Sequence, residues 1–281
     1  MAKRTAERTA ERMTELKKYK ITMQNSIQTS FTYRFQFFSG LLLLLIPFLI
    51  KLCLWRLAFQ SDGTGEISGY TYDEMILYHT FSMVFAYLST GHFQYRIAAE
   101  IKDGTLSRYL VKPIDHMLYW GSMFAGDKVI HFIYVLVFIA VSGGILGFRL
   151  EGHISIANVP LTIAAVFFSI ALNFTIYYVI SLLAFWFLDI SCFFAAIAFI
   201  ISVISGEVIP IDVMPVFFER LFSLMPFSYS VYFPAQLLVG KLAMQQIFLK
   251  FAVQIFWIFL LSFMGRLVWD RGIAKYESAG G

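Results

Sequence analysis

Acid–base or metal chemistry in this 281-residue chain would have to come from five His, two Cys and 18 Asp or Glu. His79 and His92 stand 13 positions apart, about 20 Å along a helix, too far to share one metal ion. Asp73-Glu74 with His79 is the nearest approach to the cluster that a membrane enzyme acting on lipid-linked substrates would need, and no second cluster is available to meet it. The chain has no Gly-x-x-x-x-Gly-Lys-Ser/Thr loop, so it lacks the usual means of binding ATP. Asp127-Lys128 reads as a pair bonded to each other or to lipid headgroups, and the apolar runs hold too few carboxylates for a proton relay. Asn173 and Thr175 match a glycosylation triplet but fall mid-run; with Ser169, Tyr177 and Ser181 they read as hydrogen-bonding groups between helices.

Two constellations are better patterned. The first is Glu100-Ile101-Lys102-Asp103-Gly104-Thr105-Leu106-Ser107-Arg108-Tyr109-Leu110-Val111-Lys112-Pro113-Ile114-Asp115, a polar block between greasy stretches. Gly104 breaks a helix arriving from upstream, Thr105 can cap a new one and Pro113 stops it. Leu106, Tyr109 and Leu110 then share an apolar contact face, with Glu100, Lys102, Asp103 and Arg108 as polar partners. The alternative is a solvated loop helix with no partner.

The second constellation sets Gly206, Pro210, Pro215, Pro226-Phe227, Pro234 and Gly240 in a region that is still hydrophobic. One continuous helix cannot carry that punctuation. It predicts two short helices, near Val213 to Leu224 and Tyr229 to Leu238, that dip partway into the outer leaflet with prolines at their starts and ends, as a gate or lid.

The elements that must position these residues are set by hydropathy. With 59% hydrophobic residues, 31 Phe and a mean hydropathy of +0.71, the chain reads as an all-α polytopic membrane protein. Runs at 37–57, 129–148, 159–187, 190–209 and 247–268, with a more polar one at 73–95, predict six transmembrane helices. The stretch from Val159 to Ile209 would measure about 76 Å as one helix, so it must reverse, and Asp189 marks the hairpin. The predicted organisation is an arm with an interfacial helix (1–36), a six-span domain (37–268) with a cytoplasmic block (96–118) and an outer helical segment (206–240), and a tail (269–281).

Lys and Arg give the orientation. Placing both termini in the cytoplasm puts sixteen of the 22 on the inner side and three on the outer; Lys51, Arg56 and Lys250 snorkel from span ends. This asymmetry accounts for the net charge of +4, so no nucleic-acid partner is expected. Cys53 and Cys192 fall toward opposite faces of the bilayer, which argues against a disulfide. No cleavable secretion signal is visible. Thr5-Ala6-Glu7-Arg8 repeats as Thr9-Ala10-Glu11-Arg12, too briefly for a repeat fold. From Leu16, apolar Tyr19, Met23, Ile27, Phe31, Phe35 and Phe38 recur at about helical spacing, with Lys17, Lys18, Lys20 and Arg34 beside them. That pattern predicts a helix along the inner membrane surface, either an elbow to a cytoplasmic partner or a plain anchor.

Together these features resemble the permease subunit of type-2 ABC exporters, in particular the six-span branch that includes daunorubicin-resistance-like permeases. The residues carrying the resemblance are Glu100 to Leu106 with Leu110 and Lys112-Pro113, and the series Gly206, Pro210, Pro215, Pro226-Phe227, Pro234, Gly240. The resemblance implies a coupling helix at Glu100 to Pro113 that docks on a separate cytoplasmic ATPase. It further implies two ATPase copies that hold the ATP and Mg, a second permease copy (identical or related), and a place in the bacterial plasma membrane. An amphipathic or hydrophobic cargo would be exported by alternating access, with no catalysis or cofactor in this chain. The other readings are an integral-membrane enzyme and a partner-free channel or scaffold.

Overall fold

The computed structural model describes residues 17–29, 34–63, 65–146, 154–187 and 189–276. Residues 17–29 form α1. There follow α2 (Arg34–Asp62), a hairpin of β1 (Glu66–Ile67) and β2 (Tyr70–Thr71), α3 (Tyr72–Ser89), α4 (Phe93–Lys102), α5 (Ser107–Leu110) and α6 (His116–Leu146). The second half holds α7 (Val159–Leu182), α8 (Ser191–Ile204), α9 (Val216–Leu224), α10 (Tyr232–Val239) and α11 (Met244–Ile273). Helix predominates because a chain in lipid must satisfy its backbone within each segment. The antiparallel hairpin, with Glu66 opposite Thr71 and Ile67 opposite Tyr70, is an addition that hydropathy did not announce.

Among the described residues, four helical stretches are long and apolar enough to cross a membrane: Leu44–Ser61, His116–Gly144, Ile156–Phe185 and Met244–Ile273. At 14 residues, α8 is apolar but reaches only about 21 Å, against a hydrocarbon core of about 30 Å. The stretch from Val159 reverses where expected: a 3-10 turn at Leu183–Phe185 ends α7, and Asp189 lies in the link to α8.

The polar run at 73–95 becomes α3, which packs against α2, α6, α7 and α10. Burial on several sides explains its composition, because His79, Thr80, Ser82 and Ser89 face protein. Thr80 and Ser82 return their hydroxyls to the helix, bonding the carbonyls of Ile76 at 2.8 Å and His79 at 3.2 Å. A capping box starts α3: the Thr71 hydroxyl accepts the Glu74 amide, and the Glu74 carboxylate accepts the Thr71 amide. The run does not continue to 95 as one helix. Thr90 is extended and its carbonyl accepts the Lys128 ammonium, so the chain breaks there and restarts as α4.

α6 begins at His116, well before the expected 129, because the Asp115 carboxylate accepts the Leu118 amide at 2.8 Å and Trp120 and Phe124 bury against Phe93. Asp127 and Lys128 therefore lie inside a helix, and among the described residues no salt bridge joins them. Asp127 accepts the Ser26 hydroxyl of α1, while buried Lys128 lies 4.2 Å over the Phe124 ring. α1 seats on α6 through that bond and through Tyr19, whose hydroxyl accepts the Asp115 amide at 3.1 Å. The close approach needs Gly126, since a Cβ there would stand 2.6 Å from the Met23 carbonyl. The 5–12 repeat, Leu16 and Phe31 lie outside the described residues.

The largest helix–helix interface joins α7 to α11. Gln254 ties it by donating to the Ala165 carbonyl at 3.1 Å, the Ser169 hydroxyl at 3.1 Å and the Tyr229 carbonyl at 2.9 Å. Ser169 thus bonds between helices as expected, whereas Ser181 turns back to the Tyr178 carbonyl of its own helix.

Candidate functional site

The polar block closes on itself. α4 stops because Gly104 takes the left-handed conformation at φ 73°, and the Leu106 amide folds back to the Glu100 carbonyl at 3.1 Å. Thr105 does not cap the next helix: the single turn Ser107–Leu110 starts without a side-chain cap, and the Ser107 hydroxyl bonds the Gly104 carbonyl.

The side chains divide differently from the expected contact face. Leu106 is 0% exposed and packs into the core cluster that contains Ile101 and Trp120, so it cannot touch a partner. The neighbours on the outside are Leu110 at 46% and Val111 at 81% exposed, with Lys102, Asp103, Lys112 and Pro113 around them. A one-turn helix explains this correction, because it has no second turn to align residues 106, 109 and 110. Lys102 reaches Asp189 of the α7–α8 link at 3.1 Å, and Lys18 of α1 donates to the Pro113 carbonyl at 3.3 Å.

Glu100 is the centre of the brace. Its Oε1 accepts the Arg108 guanidinium at 2.8 Å and the Tyr109 hydroxyl at 3.0 Å. Burial pushes the carboxyl above the ordinary range; the bond from Tyr109 and the charge of Arg108 partly restore it. Burial and the adjacent carboxylate likewise raise the Tyr109 phenol. The Tyr109 ring stands edge-on to His116 at 5.4 Å and tilted on Tyr119 at 5.2 Å. His116 in turn stacks on Trp269 of α11 at 4.1 Å. Trp120 can only donate, so its 3.0 Å contact makes His116 Nε2 the acceptor and leaves Nδ1–H to donate to the Tyr178 hydroxyl at 3.0 Å. A cavity of about 470 Å³ lies beneath the block, with Lys112, Asp115, Arg266 and Asp270 in its walls. The block joins α4 to α6 as a braced knuckle, and through His116 it touches Tyr178 of α7 and Trp269 of α11.

The proline-rich constellation gathers at the other end of α3. Gly206 is left-handed at φ 79° and its carbonyl accepts the Tyr78 hydroxyl at 2.7 Å. Pro210 and Pro215 each immediately precede a helical turn, Pro226 starts one, and left-handed Gly240 ends α10. Phe227 packs against the core. Pro234 departs from the expectation of prolines only at helix ends, as the third residue of α10, where its missing N–H has no intrahelical partner to lose. The two short helices also differ in setting: α9 presents exposed Val216, Phe217 and Leu224, whereas α10 is buried along its whole length.

Long-range bonds that no local pattern signals hold this end together. Tyr70 of the hairpin and Gln236 of α10 both donate to Asp212 Oδ2 at 2.7 Å. Lys241 donates to the Gly69 carbonyl and to Glu74 Oε2, and sits 4.3 Å over the Tyr70 ring. Glu74 is thus engaged structurally, and His79 stacks on Trp55 at 5.4 Å. The Thr71-x-x-Glu74 capping box was readable; the reach from Asp212 to Gln236 needs the tertiary fold.

Residues 45–280 match the family model described as ABC-2 family transporter protein. The chain belongs to the ABC-2 transporter family. It is accordingly a type-2 ABC permease, a multi-pass membrane component of a transporter and not itself a catalytic enzyme. No curated protein matches the sequence. Within an ABC-2 permease the knuckle at 100–113 and the latch at 206–240 are the two ends of one bundle, linked by α3.

Proposed function

We propose that this permease is the transmembrane half of an ATP-driven exporter that carries an amphipathic or hydrophobic cargo out of the cytoplasm or inner leaflet. Two copies of the chain, or this chain and a related one, pair in the bacterial plasma membrane with two cytoplasmic ATPase subunits. ATP and Mg are held on those subunits. Both termini and the 100–113 knuckle face the cytoplasm, and the 206–240 latch faces out. Six crossings are made by α2, α3, α6, α7, α8 with the chain that flanks it, and α11, while α4 enters the cytoplasmic block.

The observation that carries this reading is the braced knuckle. Leu106 and the Glu100–Arg108–Tyr109 bonds hold it from beneath while Lys102, Asp103, Leu110, Val111, Lys112 and Pro113 stay open above. A motor bound there moves α4 and α6 together, and α6 and α4 both lean on α7. Such a push shifts the bundle between two packed states, as alternating access requires. At the far end, release of the Tyr70–Asp212–Gln236 bonds would open the exit.

The test is to purify the chain with its ATPase, reconstitute the complex and introduce Leu110→Asp with Val111→Asp. Expected are an unchanged melting temperature and loss of transport-coupled ATP hydrolysis. Normal coupling in a folded double variant, or full transport by the permease without an ATPase, would overturn the reading.

A further inference from the structure

An open cleft of about 530 Å³ lies between α1, the first turns of α6 and the last turns of α11. Met23, Met117, Gly121, Ala125 and Phe174 make its walls apolar. Lys20 and Arg266, both exposed, also line it. Among the described residues neither cation has an ion pair or hydrogen bond. Of the nearby carboxylates, Asp115 accepts the Leu118 amide, and Asp270, four residues after Arg266, lines the adjoining cavity that Arg266 also borders. Gly121 keeps the floor open, with Phe174 just 3.4 Å from where a Cβ would stand.

A greasy trough with two cations that have no partner among the described residues selects an amphiphile with an anionic head. An acyl chain gains from leaving water along the methionines and Phe174, and a phosphodiester suits a guanidinium fork beside an ammonium. The position fits the reading, on which this inference rests, that α1 lies along the inner membrane surface, with α11 beside it. We propose that this cleft is a binding site for one anionic phospholipid, with the phosphate between Lys20 and Arg266 and a chain running past Met117, Gly121 and Phe174. The bound lipid then pins α1 to α6 and α11.

The experiment uses the full chain in non-ionic detergent. Added phosphatidylglycerol should raise the melting temperature by about 5 °C or more at saturation, and phosphatidylcholine should not. Lys20→Gln with Arg266→Gln should weaken the apparent affinity for phosphatidylglycerol about tenfold or more, and each single variant should lose part of it. Arg271→Gln, on the same helix but outside the cleft, should behave as wild type. Equal stabilisation by phosphatidylcholine, an equal loss in Arg271→Gln, or full stabilisation by glycerol phosphate without acyl chains would each overturn the site.

Discussion

Arg108 and Glu100, eight residues apart, meet at 2.8 Å across the left-handed turn at Gly104. The carboxylate is buried and the guanidinium is open to solvent, so the pair fastens the outside of the knuckle to its inside. Glu100 carries a proton more readily in the fold than in the unfolded chain, because burial raises its carboxyl above the ordinary value near 4.5. Stability should therefore fall as pH rises from that value through the raised one. Glu100→Gln should flatten this slope, as read by thermal unfolding across pH 4 to 8. Parallel wild-type and variant profiles would show that Glu100 does not set it.

Leu106 and Leu110 should separate folding from coupling. Leu106→Ala empties a fully enclosed site and should cost about 2–5 kcal/mol, visible as a lowered melting temperature. Leu106→Asp would be worse, since it buries an unpaired charge. Leu110→Ala leaves a residue that is 46% exposed and should hardly move stability. A Leu106→Ala protein as stable as wild type would contradict the buried placement.

Gly206 and Gly240 hold the two left-handed turns of the proline-rich segment. Either Gly→Ala change should cost about 1–2 kcal/mol from backbone strain alone. Gly206→Ala should cost more, because its Cβ would lie 3.0 Å from both Tyr232 Cβ and the Tyr78 hydroxyl, whereas at Gly240 the nearest atom is Ser155 Cβ at 3.2 Å. Thermal melts of the two variants side by side give the order.

Much of the fold was legible because hydropathy and punctuation act locally. Asp189 marked the reversal after α7, and the Pro and Gly series announced α9 and α10 to within a few residues. The errors share a cause, which is tertiary contact. A hydropathy window starts the third span at 129 because Asp127 and Lys128 look like a boundary, yet Ser26 and Thr90 satisfy both inside the helix. Leu106 looked like an outward contact because spacing says which residues align only when a helix is long enough to have faces. Asp212 and Gln236 carried no signal at all, since neither residue type nor spacing distinguishes them before α10 folds against the hairpin.

That latch yields the most exacting prediction. Tyr70 and Gln236 converge on one oxygen of Asp212, and Tyr70 is itself buried, so removing one donor leaves the carboxylate short of a partner within protein. Tyr70→Phe should cost about 1–3 kcal/mol. Asp212→Asn alone should also destabilise, because an amide cannot accept both donors through one oxygen as strongly as a carboxylate. The double variant should be less destabilised than the sum of the two, since the shared bond is lost only once. Additive losses in a double-mutant cycle read by thermal unfolding would mean that Tyr70 and Asp212 act independently, and that the hairpin is held to α10 by Lys241 and Glu74 instead.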